Sequence, residues 1–156
     1  MRRSLSIGPI LAAFLVTLAG CGSGGPTMVP VAGTVTIDGQ PLTYGQIQVL
    51  PNGWRPASSP IGSDGRFMLT TTVSGDGCPV GTHNVVVLAG EPLPGDTMKW
   101  HAPKKYADPT ASKLTITITG PTNDLKIELK WDKGGKPFVE KAEKEGGSEA
   151  GFVFTK

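Results

Sequence analysis

Few side chains in this 156-residue chain are suited to chemistry: two cysteines, Cys21 and Cys78, and two histidines, His83 and His101. Thiolate and imidazole are good transition-metal ligands. Cys78 and His83, however, do not stand at a usual zinc spacing, and no fourth ligand is evident. Cys78 reads instead as a small loop residue, and His83 as the start of a strand. Asp38-Gly39, Asp64-Gly65 and Asp76-Gly77 offer carboxylates to calcium, but none sits in a ligand-dense loop. Two of these pairs are accounted for as hairpin turns. No serine has the glycine frame of a nucleophile elbow, and neither histidine opens a His-x-x-Glu pair. We therefore expect no metal, no cofactor and no catalytic residue, in a protein that is not an enzyme.

The remaining candidates are aromatic. Trp54, Trp100 and Tyr106 fall in expected loops, with His101 beside Trp100. Amphipathic rings of this kind suit a sugar face, and equally they close the open ends of a sandwich. Trp131 continues a strand alternation and is a poorer candidate for contact.

The elements that must hold these residues are strands. Gly (22) and Pro (14) are abundant and aromatics few, which favours a turn-rich β protein. Val31 to Asp38 alternates, with Val31, Gly33, Val35 and Ile37 on one face. Asp38-Gly39 supplies a turn, because glycine accepts positive φ. Gly45 to Leu50 is a second strand, with Ile47 and Val49 inward. Ala57 to Gly62 is a weaker one, and Arg66 to Thr71 follows the Asp64-Gly65 turn with Phe67 and Leu69 inward. Val85-Val86-Val87-Leu88 is apolar on both faces and reads as a central strand. Lys113 to Thr119 and Asp124 to Trp131 alternate cleanly. Gly90 to Ser112 has no period and carries four prolines, so it reads as a long connection of the kind that often holds function. Seven short strands without a helix predict an all-β fold, a seven-stranded antiparallel β-sandwich over residues 31–131. Residues 132–156, rich in Gly, Lys and Glu, read as a flexible tail. The alternative for the tail is a short helix opening at Pro137 and an edge strand at Phe152-Val153-Phe154.

The first twenty residues have the layout of a secretory leader: Arg2 and Arg3, then an apolar run from Ile7 to Leu18, then small residues. The run falls short of the about 20 apolar residues that a membrane-spanning helix needs. Leu18-Ala19-Gly20-Cys21 resembles a lipobox, the site of bacterial lipoprotein processing. The resemblance implies that the Cys21 thiol receives a diacylglycerol and that signal peptidase II cuts before it. Two or more acyl chains anchor stably where one is marginal. Residues 1–20 would then be signal peptide and 21–30 a lipidated, flexible tether. The domain would be held at the cell membrane or outer membrane, facing the periplasm or the exterior. Loss of Arg2 and Arg3 leaves thirteen basic against thirteen acidic residues, without the basic footprint of a nucleic-acid binder. Cys78 would be left without an intrachain partner, so no disulfide framework is available. A bridge between two copies would appear as a reducible dimer.

The order Val31-Ala32-Gly33-Thr34-Val35, Asp38-Gly39-Gln40-Pro41-Leu42, Gly45-Gln46-Ile47, Ser63-Asp64-Gly65-Arg66-Phe67-Met68-Leu69 and Gly81-Thr82-His83-Asn84-Val85-Val86-Val87 resembles a carboxypeptidase-regulatory-like domain. That domain is a transthyretin-like (prealbumin-like) sandwich of Ig-like architecture. The chain is similar to small bacterial lipoproteins that carry this domain alone, with a segment like Lys104-Lys105-Tyr106-Ala107-Asp108-Pro109 before the last two strands. The resemblance implies a fold and a place outside a membrane, and no established activity. The transthyretin-like branch that hydrolyses 5-hydroxyisourate uses several histidines and a Tyr-Arg-Gly-Ser motif, which this sequence lacks. The expected role is that of an accessory, scaffold or adhesion module of the cell envelope, with an envelope protein as partner. The alternative is a carbohydrate-binding module for cell-wall or extracellular polysaccharide.

Overall fold

The computed structural model describes residues 25–141. β1 (Met28–Val29) leads into β2 (Val31–Ile37), and a tight turn returns the chain as β3 (Gln40–Pro41). β4 (Gln46–Leu50), β5 (Ala57–Pro60), β6 (Arg66–Met68) and β7 (Cys78–Pro79) follow, then the long β8 (Gly81–Leu88). A hairpin of β9 (Gly90–Leu93) and β10 (Thr97–Trp100) precedes a single 3-10 turn at Lys104–Ala107. β11 (Leu114–Ile118), β12 (Thr122–Leu129), a second 3-10 turn at Asp132–Gly134 and β13 (Phe138–Lys141) complete the described chain.

Alternation in the sequence becomes burial in the fold. Val31, Val35 and Ile37 of β2, and Ile47 and Val49 of β4, point into one core with Phe67, Val85, Val87, Ile127 and Leu129. Each such side chain contributes about 1.5–3 kcal/mol when fully buried. The turn after β2 is of the primed type: Asp38 has φ 46° and Gly39 φ 78°, which matches strand twist. β8 lies between β11 and β4, and Val85, Val86 and Val87 are all buried, as its unbroken apolar run predicts.

One sheet has the order β11-β8-β4-β5, antiparallel throughout. In the second, β12 and β3 flank β2, and β6 also pairs with β2. The two sheets share the core, giving a sandwich-like all-β arrangement. Two smaller sheets are added, β1-β7 and β13-β10-β9.

Three expectations need correction. The pairing is not antiparallel throughout, because β12 runs parallel to β2. Period two reports which face is buried and is blind to strand direction. The stretch from Gly90 to Ser112 is not simply a connection, since it carries the β9–β10 hairpin. Both strands are half-buried or exposed along their length, so they lack the inside/outside contrast that marks a strand. Phe138–Lys141, expected to be flexible tail, is a strand paired antiparallel to β10. Leu18, Ala19, Gly20, Cys21 and the Phe152–Phe154 segment lie outside the described residues. No described helix is long and apolar enough to cross a membrane.

The registers define two poles. Leu50 pairs with Asn84, Ile118 with Gly81 and Thr122 with Val31, so residues 25–30, 51–56, 71–77 and 119–121 gather at one end. The Val80 amide bonding the Thr27 carbonyl (3.0 Å) belongs to the same end. We call it the N-terminal pole. At the opposite pole Gln46 pairs with Leu88 and Ile37 with Leu129, which gathers Tyr44, Ile61, the β9–β10 hairpin and the residues after Leu129.

Candidate functional site

The four aromatic and imidazole candidates do not form one site. Tyr106 belongs to the core, only 7% exposed, on the 3-10 turn that packs on β8. Its hydroxyl donates to the Lys130 carbonyl (3.2 Å) and accepts from the Lys130 amide (3.1 Å). Tyr106 thus ties the turn to the end of β12 and is not a contact residue. Trp54 is 46% exposed in the loop between β4 and β5, at the N-terminal pole. Trp100 and His101 are neighbours at the opposite pole.

There, Tyr44, Gly45, Gln46, Pro60, Ile61 and Leu88 line a cleft of about 430 Å³, with Gly90 at its edge. Gly45 is required by the backbone: its φ is +129°, and a Cβ would meet the Leu88 carbonyl at 2.5 Å. The Tyr44 ring stacks on His101, with centroids 5.0 Å apart and planes 26° from parallel. His101 is set by its amide bonding the Ala89 carbonyl (2.8 Å), where the chain leaves β10. Its Nε2 lies 2.7 Å from Glu91 Oε2, and Lys99 Nζ lies 3.7 Å from the same oxygen. The His101 hydrogen bond, with a smaller contribution from Lys99, holds the Glu91 carboxyl below its ordinary value. The cleft offers an apolar wall, the Gln46 amide and the edge of a clamped aromatic pair.

Glu91 therefore supports the hairpin in a pH-dependent way. A carboxyl whose folded pKa is depressed stabilises the fold above its unfolded value, and the contribution is lost as pH falls through the folded value. The expected result is a melting midpoint higher for wild type than for Glu91→Gln above the ordinary value of 4.5, with the two converging as pH falls below it. A gap that widens on acidification would contradict the pairing.

Behind the cleft, Trp100 Nε1 donates to Glu140 Oε1 (2.7 Å), and Lys104 pairs with the same carboxylate. The Lys104 ammonium stands 5.5 Å from the Trp100 ring centroid, and Lys104 is the main cause that lowers the Glu140 pKa. Gly90 lies opposite Trp100 across the hairpin. Trp100 is thus partly occupied as a strut between β10, the 3-10 turn and β13. A second groove of about 380 Å³ runs between Lys104, Lys105, Trp131 and Phe138, with the last two rings edge to face at 6.3 Å. β13 is an end strand among the described residues, with Phe138 40% and Val139 57% exposed.

Tyr44, Glu91, Glu140 and Phe138 were not singled out by the sequence. Tyr44 sits between two strands with no pattern of its own, and the two carboxylates gain meaning only through cross-strand pairing. The metal candidates are far apart in role. Among the described residues no group of three His, Cys, Asp or Glu side chains could hold a metal. His83 is buried with Nε2 2.7 Å from the Pro79 carbonyl. Cys78 is fully buried in β7 opposite Val29, and burial pushes its thiol up to about 11. That burial disfavours a bridge between two copies through Cys78, because the sulfur must reach the surface to react. The expected result is no labelling of Cys78 by a thiol reagent in the folded protein and rapid labelling after denaturation. Equal labelling rates in the two states would contradict its burial.

No family model and no curated protein matches this chain. Among solved structures, a DUF3823 family protein from Parabacteroides merdae is similar at TM-score 0.39 and 18% identity. The match covers 67% of this chain and 47% of that one, so the chain spans about half the length of the structure it resembles.

Proposed function

We propose that the protein is an exported lipoprotein, acylated at Cys21, whose β domain is a non-enzymatic accessory or scaffold module of the cell envelope. The finer fold reading, a transthyretin-like carboxypeptidase-regulatory-like domain, goes with this proposal. The observation that carries it is the separation of the poles. The described chain enters at one, with β1 paired to β7 from Met28 onward. The cleft and β13, an end strand among the described residues, lie at the other. A lipid on Cys21 leaves six residues, 22–27, before β1, with a root-mean-square reach of about 13 Å. The domain would then stand close to the bilayer with its opposite pole directed outward. Among the described residues β13 has no neighbour on one side, and such an edge with apolar side chains suits a protein partner through backbone pairing. Polysaccharide binding is the second reading, favoured by half-exposed Tyr44 and Trp100 near the cleft.

Anchoring is tested by mass spectrometry and fractionation of the full chain from its membrane. The expected mass is that of the chain from Cys21 with added acyl groups, in the membrane fraction. Cys21→Ser should leave the leader uncut and unacylated. An unlipidated wild-type chain, or identical processing of the two proteins, would overturn the anchor.

A further inference from the structure

At the N-terminal pole, Trp54 has, among the described residues, no structural task comparable to that of Trp100 or Tyr106. It is 46% exposed and stands between Gly53, at φ 70°, and exposed Arg55. The chain leading from the leader passes against it: a Cβ on Gly25 would lie 3.3 Å from Trp54 Cη2. Cys21 is four residues earlier, so it cannot be more than about 14 Å from Gly25 along the chain. Two further apolar side chains are exposed on segments of the same pole, Val73 at 67% and Val80 at 38%. The Asp76 carboxylate nearby keeps its negative charge, and its oxygens are engaged by the amides of Thr71, Thr72 and Val73 (2.7–2.9 Å). Those bonds, Val73 first, also lower its pKa.

We infer that this pole is a membrane-contact surface, with Trp54 and Val73 seated in the headgroup layer of the phospholipid bilayer. The inference rests on the lipidation of Cys21 proposed above. Indole is suited to that layer, since its body is apolar and its N–H is polar. Arg55 keeps its charge among headgroup phosphates while its stem lies along the boundary. An acyl anchor alone would let the domain swing on a flexible tether. An anchor plus this contact holds the long axis of the strands away from the membrane and keeps the cleft facing outward. The ligand is the bilayer surface itself.

The test uses the full-length lipidated protein in phosphatidylcholine nanodiscs containing brominated acyl chains, which quench only nearby tryptophan. The same sample is weighed by mass spectrometry. Wild-type emission should be partly quenched, and Trp54→Phe should lose most of the quenched part at an unchanged melting midpoint. Quenching by bromolipid that is equal in wild type and Trp54→Phe, or absent from both, overturns the contact while an acylated mass leaves the anchor standing. A mass without acyl groups overturns both.

Discussion

Gly33→Ala is expected to destabilise the domain by about 3 kcal/mol, the upper end of the usual cost of overpacking. In β2 a Cβ at this position would sit 2.0 Å from the Leu125 carbonyl oxygen and 2.7 Å from its carbon. The obstacle is backbone, not a side-chain tip that could swing away. It arises because the register of β12 on β2 shifts between Thr122 and Leu125 and brings that carbonyl over Gly33. Elsewhere the same substitution would gain about 0.4–1 kcal/mol by restricting the unfolded chain, so the sign itself is diagnostic. Gly120, with open space around its Cα and no positive φ, is the control. Gly120→Ala should be neutral to stabilising, by up to about 1 kcal/mol. Urea denaturation decides between them, and equal midpoints for the two variants would contradict the close approach of the Leu125 carbonyl to Gly33.

Tyr106→Ala is the second large effect, expected to cost about 3–5 kcal/mol as for other buried aromatic truncations. The ring is lost from the core, and both backbone groups of Lys130 lose a partner. Tyr106→Phe keeps the ring and should cost about 1–2 kcal/mol, the scale of a part-buried hydrogen bond left unmade. Trp54→Ala, on an exposed loop, should change stability by less than about 0.5 kcal/mol. Equal losses for Tyr106→Ala and Trp54→Ala in thermal melts would show that Tyr106 does not hold the 3-10 turn to β12.

The contrast between these residues marks what the sequence can convey. Strands that bury one face, such as β2 and β4, were legible because burial imposes a period of two on apolar type. β8 was legible because an unbroken valine run needs cover on both sides. β9, β10 and β13 form a sheet with neither face fully buried, so their residues alternate in nothing. Proline at 92 and 94 and lysines around Phe138 point to loops, and only the pairing of Trp100 with Phe138 makes them strands. Strand direction was illegible for β12 because the alternation is identical in either direction. At the candidate site, Trp100 and His101 were found by residue type. Their partners Glu140, Glu91 and Tyr44 were not, because contacts 40, 10 and 57 residues away in sequence leave no local trace. Residue type misjudged Tyr106, since an amphipathic ring in an aperiodic stretch looks the same whether it faces water or the core.

The central claim is that the opposite pole is a partner-binding surface displayed from a lipid anchor. It is tested most directly by mild crosslinking of the full-length lipidated protein in its native membrane, followed by mass spectrometry of what co-purifies. The account expects a near-stoichiometric protein crosslinked through lysines of the opposite pole, such as Lys99, Lys104 and Lys141, and lost when the exposed edge is charged by Val139→Lys. A protein that purifies alone, or whose crosslinks fall only on the N-terminal pole, would contradict it.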